Sequence, residues 1–241
     1  MAVNPPELII FDCDGVLIDS EPVASRVLWQ ALTRAGISIS LKDVHLRFVG
    51  YSQADVRRIC IEELGASDPD RIFAEARDDL YAEFSRSLAP MAGMSELIHD
   101  LDTLKCVASN SGMERLERSL GLFDLWTAFA PNIFSADMVA RAKPAPDLFY
   151  LCAAKLGVAP AGCMVIDDNP HGIAGAVAAG MTAIGFVDPT DMRPGRAEVL
   201  IAAGAHGVAT GADELAALLN RNPAGASARP SGRSRAEPAI A

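Results

Sequence analysis

Asp12 and Asp14 stand two residues apart in "FDCDG", where an apolar run stops abruptly. Read by itself, the pair is as well explained by a surface turn with two solvated carboxylates and a turn-making Gly15. A calcium loop would want an oxygen ligand at the fifth position, where this chain has Val16, and a helix rather than an apolar strand in front. A second acidic pair, Asp167 and Asp168, closes the apolar stretch "CMVI" in the same way. If the two stretches are neighbouring parallel strands, four carboxylates meet in one pocket. Each pair of charges about 4 Å apart is worth about 4 kcal/mol of repulsion at an effective dielectric of 20, so the pocket calls for a cation. Oxygen-only ligands, without a Cys or His cluster, favour Mg²⁺ over zinc. Ser109, after "CVA", and Lys143, in "RAKPAPDLF", add a hydroxyl and a positive charge. Taken singly, Ser109 serves equally as a helix cap and Lys143 as a solvated loop residue. Together with the carboxylates they supply what the oxygens of a phosphoryl group require.

The elements that must position these groups are four short apolar runs: "LIIFD" (8–12), "KCVASN" (105–110), "CMVIDD" (163–168) and "TAIGF" (182–186). Their length and the helical segments between them predict strands of a parallel sheet buried on both faces. Ser95 is placed to cap "ELIHDL". Pro146 opens "PDLFYLCAAKLG", where Leu148, Leu151, Cys152 and Leu156 share a face before Gly157. "HGIAGAVAAGM" is a small-residue helix suited to close packing. The pattern is that of a doubly wound α/β domain with its site at the carboxyl ends of the strands.

Residues 20–87 carry helix signals and no convincing strand, with Ser20 and Ser52 as helix starts. This predicts a helical cap domain (20–87) inserted into an α/β core domain (1–19 and 88–220), beside Asp12 and Asp14 and placed to cover them. Residues 221–241, rich in Ala, Pro, Gly, Ser and Arg, read as a disordered tail.

Composition narrows the partners. The 241 residues are 50% hydrophobic and 22% charged, enough for one large core plus a smaller module. A formal net charge of -10 argues against nucleic acid and anionic membrane as partners. No apolar stretch approaches the roughly 18 to 20 residues of a membrane span, and nothing directs the chain out of the cytoplasm. The five cysteines are scattered, without a C-x-x-C pair, and read as reduced, mostly buried thiols; alternation turns Cys13 away from the two aspartates, into the core. The expected partner is a small-molecule phosphate ester, and the expected assembly a monomer or weak dimer.

The order Asp12-Cys13-Asp14-Gly15-Val16, Ser109-Asn110, Lys143-Pro144, then Asp167-Asp168-Asn169 with Gly172, resembles the four motifs of the haloacid dehalogenase superfamily over residues 8 to about 210. The resemblance implies a Rossmann-like three-layer core with a parallel sheet and a small helical cap. It makes Asp12 the nucleophile that becomes an aspartyl-phosphate, and Asp14 the general acid and later base. It gives Mg²⁺ to Asp12, the Asp14 backbone carbonyl and Asp168, with Asp167 supporting, and the substrate phosphate to Ser109, Asn110 and Lys143. Members that cleave carbon-halogen bonds lack the second aspartate, so Asp14 favours phosphoryl transfer.

The cap with its "FVGYS" resembles the β-phosphoglucomutase-like branch. Mutases of that branch carry a cap His and an Arg where this chain has Ala24 and Gln53, which favours hydrolysis over mutation. Asp167 replaces a Glu found in many relatives. The stretch "SNSGMERLERSLG…IFSADMVARAKPAPDLF" is most similar to sugar phosphatases acting on 6-phosphogluconate. Arg47 is a candidate cap contact to substrate, against an ordinary solvated arginine. His171 is equally a supporting residue near Asp168 or a helix-start residue. A signalling receiver domain is the non-enzyme alternative, but it has the reverse order of acidic pair and acceptor Asp and no cap.

Overall fold

The computed structural model describes residues 5–220 apart from Gly50, Ser52 and Met192. The Ser52 helix start and the tail at 221–241 therefore lie outside the described residues. Strands β1 (Leu8–Phe11), β2 (Leu104–Ser109), β3 (Ile133–Ser135), β4 (Cys163–Asp167), β5 (Thr182–Val187) and β6 (Gly207–Thr210) form one sheet in the order β3-β2-β1-β4-β5-β6. Every pairing is parallel. The four expected strands are present to within a residue at each end. The short β3 and the edge strand β6 are additional.

Alternation along the strands builds two cores, one on each face. Ile9, Phe11, Val107 and Ile166 face one way, onto helices α5 (Met94–Asp100), α6 (Met113–Ser119), α7 (Leu125–Phe129) and α11 (Gly211–Asn220). Leu8, Ile10, Cys106 and Val165 face the other, onto α8 (Asp147–Leu156), α9 (Pro170–Ala178) and α10 (Arg196–Ala202). The result is a three-layer α/β fold. Strand order reverses between β1 and β4, and the crevice at such a point is where open α/β sheets bind ligands.

Between β1 and α5 the described residues make four helices, α1 (Glu21–Arg34), α2 (Leu41–Phe48), α3 (Gln53–Glu62) and α4 (Pro69–Ser87). They enclose a third core that includes Val27, Leu32, Val44, Cys60, Ile72 and Phe84. Ser40 caps α2, accepting from the Asp43 backbone N–H at 3.1 Å, and Asp68 caps α4, accepting from that of Arg71 at 3.2 Å. Departure and return run side by side. The Asp19 N–H donates to the Ala89 carbonyl at 3.0 Å, and that of Met91 to the Leu17 carbonyl at 2.9 Å.

Two expected caps differ. Ser20 precedes α1 but makes no capping bond, because its hydroxyl is drawn to Asp14. Ser95 lies inside α5, which starts one residue earlier behind a left-handed Gly93 (φ +74°). Pro146 and Gly157 do bound α8. All five cysteines are free and buried, Cys13 in the core below the site. Among the described residues no helix is long and apolar enough to cross a membrane.

Candidate active site

Sheet register builds the site. Phe11 of β1 is aligned with Ile166 of β4, and the Asp12 N–H donates to the Ile166 carbonyl at 2.9 Å, so Asp12 and Asp167 leave adjacent strand ends together. Carboxylate oxygens of Asp12, Asp167 and Asp168 lie within 4.8 Å of one another. Two glycines permit this crowding. A Cβ on Gly172 would sit 1.8 Å from Asp167 Oδ2, and one on Gly15, which also has φ +81°, 2.8 Å from Asp168 Oδ2.

Lys143, only 6% exposed, reaches into this cluster. Its Nζ donates to Asp12 Oδ1 at 2.7 Å and to Asp167 Oδ2 at 2.8 Å. Burial disfavours the ammonium, but the two carboxylates outweigh it and hold the lysine charged. Asn110 fixes the lysine's backbone: its amide donates to the Lys143 carbonyl at 3.1 Å and accepts from the Lys143 N–H at 2.9 Å. Ser109, at the end of β2, is buried, and its Oγ accepts from the Ser111 N–H at 3.1 Å.

One lysine does not neutralise three carboxylates. Burial, with Asp167 and Asp168 adding to it against Lys143, drives Asp12 well above the usual carboxylate range. Burial also raises Asp168, with Glu21 and Asp167 adding to it and the arginines 196 and 193 opposing. Arg196 donates to the Asp168 carbonyl oxygen at 2.5 Å and lies 3.8 Å from its Oδ2. Buried oxygens crowded in this way, with their charge uncompensated, fit a hard divalent cation.

Asp14 is set apart from the trio. Its carboxylate accepts from Arg115 Nη2 at 2.9 Å, from Ser111 Oγ at 2.6 Å and from Ser20 Oγ. Burial alone would raise its pKa, yet the guanidinium and these hydrogen bonds prevail and leave it below the usual value. Arg115 in turn lies over the ring of Phe84 on α4, 5.7 Å from its centroid. It touches the acidic site on one side and the helical insertion on the other.

A cavity of about 210 Å³ opens between these groups and the insertion. Asp12, Asp14, Ser109, Asn110, Lys143, Asp167 and Asp168 all line it, as do Ala24, Gln53 and His171. His171 stands at the start of α9, its N–H donating to Asn169 Oδ1 at 3.0 Å and its ring edge-on to Tyr51. Arg47 is placed elsewhere: it pairs with Glu63 and is not among the described residues that line the cavity. Sequence reasoning passed over Ser111, Arg115, Glu21 and Arg196. Arg115 had a usable signal, an arginine in the first turn of the helix that follows the Ser109 strand end. Glu21 opens the helix after the first motif, whereas Arg196 opens α10, more than twenty residues beyond Asp168 and marked by no local pattern.

The family model for haloacid dehalogenase-like hydrolase matches residues 6–180. The chain is 28% identical over 188 residues to a 6-phosphogluconate phosphatase of Escherichia coli strain K12, covering 76% of this chain and 84% of that protein. It is 32% identical over 184 residues to hexitol phosphatase B of the same strain, covering 73% and 81%. A crystal structure of the haloacid dehalogenase-like protein ATU0790 of Agrobacterium tumefaciens strain C58, described as of unknown function, superposes with a TM-score of 0.76 at 37% identity, over 89% of this chain and 98% of that one.

Proposed function

Because the chain belongs to the haloacid dehalogenase-like hydrolases, we propose that it is a Mg²⁺-dependent phosphatase of small phosphomonoesters, sugar phosphates in particular, that works through an aspartyl-phosphate on Asp12. The observation that carries this reading is the Asp12 carboxylate, held 2.7 Å from Lys143 Nζ and grouped with Asp167 and Asp168 at the mouth of a cavity. A nucleophile, a fixed cation and a set of cation ligands coincide there.

Asp12, Asp168 and the Asp14 backbone carbonyl are the groups assigned to Mg²⁺, with Asp167 supporting. The ion would neutralise the carboxylates and the phosphate's charge. An Asp12 oxygen attacks phosphorus, the phosphorus to ester-oxygen bond breaks, and the departing alkoxide takes the proton of Asp14. Ser109 and Lys143 hold the phosphoryl oxygens, Lys143 from a position that already touches the nucleophile. In the second half Asp14, now a carboxylate, takes a proton from water. The resulting hydroxide attacks phosphorus, inorganic phosphate leaves and Asp12 is regenerated.

The helical insertion acts as a cap: it lines the far wall of the cavity and screens the intermediate from bulk water. Ala24 and Gln53, both in that wall, are uncharged where mutases of the branch carry a His and an Arg, which supports hydrolysis over phosphate exchange, and the cation among the described residues of the helical wall is Arg77. The test is release of inorganic phosphate from a sugar-phosphate panel headed by 6-phosphogluconate. Release is expected with Mg²⁺, and is lost on chelation and in Asp12→Asn and Asp14→Asn. A folded protein with Mg²⁺ that frees phosphate from no member of the panel would overturn the reading.

A further inference from the structure

The two sides of the cavity differ in chemistry. The α/β side presents carboxylates, hydroxyls, amides and an ammonium. The helical side is mainly hydrocarbon: Val27, Phe48, Val56 and Leu80, buried in the helical core, and the half-buried Leu28 and Phe73, drawn from all four helices. Several of its polar groups are already engaged. Ser25 Oγ lies 2.9 Å from His45 Nδ1, and Glu21 lies 3.6 Å from the Arg193 guanidinium. The rings of Phe48, Tyr51, Phe73 and Tyr81 line the same space, with Gln53 and Arg77 between them.

Such a wall discriminates among leaving groups. A fully hydroxylated chain pressed against it would give up hydrogen bonds to water and find few in return. A ring would bury apolar surface, meet aromatic side chains face or edge, and leave its heteroatoms to Gln53 and Arg77. The sugar next to the phosphate would stay over the polar side.

We propose that this enzyme selects sugar phosphates that carry an aromatic ring, the chemistry of a nucleoside 5′-monophosphate, over open-chain polyhydroxylated acids and alcohols. The inference rests on the phosphatase reading above and narrows it. Leu28 and Phe73 are the specificity-determining residues, since both line the wall and both are only partly buried within the helical core.

The experiment compares kcat/KM of the full chain with Mg²⁺ on uridine 5′-monophosphate, ribose 5-phosphate and 6-phosphogluconate. The first two differ at C1, where one carries the base and the other a hydroxyl. The expected order places uridine 5′-monophosphate about tenfold or more above each of the others, the range that apolar pocket contacts supply. In Leu28→Asn the ratio of uridine 5′-monophosphate to ribose 5-phosphate narrows severalfold. Phe73→Leu, which keeps an apolar side chain, narrows it less and serves if the first variant loses its melting transition. A wild-type ratio near one, or a preference for 6-phosphogluconate, overturns the inference and leaves the phosphatase standing. No phosphate from any of the three overturns the inference, and the phosphatase reading falls with it only if the whole sugar-phosphate panel is also left uncleaved.

Discussion

The strand ends and the helical insertion use charge in opposite ways. At the strand ends, ion pairs are buried and shared: Lys143 bridges Asp12 and Asp167 with its side chain 3% exposed. On the insertion, Arg34 with Asp79, Arg47 with Glu63 and Arg58 with Glu62 lie in solvent, and the inner wall is left mainly apolar. Charges in water contribute little to stability and keep the outside soluble. Charges out of water are held in one geometry at a large desolvation penalty, which suits a place where bonds are made. On the proposed reading one region serves reaction and the other selection, and substitutions should affect them on different scales.

The largest effect is expected at Lys143. Lys143→Met leaves two buried carboxylates without their cation, which should lower stability by about 3–5 kcal/mol and turnover by about a hundredfold or more. Melting and kinetics with and without Mg²⁺ would measure both, and a mild effect on either would undo the contrast.

Arg115 joins the two regions, so its replacement tests them together. In the proposed mechanism cleavage needs the proton on Asp14, and Arg115 favours the carboxylate. Arg115→Met should therefore raise the Asp14 pKa and move the alkaline limb of the kcat/KM profile to higher pH. A limb that stays in place would show that the two residues separate in the working enzyme.

Glu21 gives a smaller, pH-limited effect. Burial, against Arg193 and with help from Asp14, lifts it from its ordinary 4.5 to about 7. Below about 4.5 the group is protonated both folded and unfolded. Between there and about 7 the folded state holds the extra proton, so stability falls as pH rises, and above 7 the whole loss is present. Glu21→Gln should flatten that slope and make the protein more stable than wild type at pH 8, as read from melting temperatures across pH. The smallest effect belongs to Arg47→Ala, expected to shift stability by less than about 1 kcal/mol and kcat/KM by less than about twofold. A large loss of kcat/KM there would return Arg47 to the substrate.

The strand ends were the more legible region. Asp12, Ser109 and Asp168 each end or follow a continuous apolar run, and parallel pairing of those runs is enough to bring them together, whereas Lys143 comes from the loop before α8 and is fixed there by Asn110. Strand β3 escaped notice because three residues, "IFS", carry no period. Strand β6 escaped because "GVAT" begins with glycine and has half-exposed edge positions. The insertion's helices could be read from their spacing, but not which face meets the substrate. That depends on how α1 and α4 lie against the sheet, and hence Arg47 was a candidate while Arg77 and Tyr81 were not. Ser20 shows the same limit at one residue: local pattern assigns it to the helix behind it, and tertiary structure gives it to Asp14.

The paired crossing at Asp19–Ala89 and Leu17–Met91 has a consequence for ancestry and engineering. Because the outgoing and returning segments are hydrogen-bonded to each other, the sheet sees them much as it would see the two arms of a hairpin, whatever lies beyond. On the proposed division, residues beyond Glu21 and up to Leu88 should exchange for another module without re-registering the strands that hold Asp12, while Ser20, which bonds Asp14, has to stay.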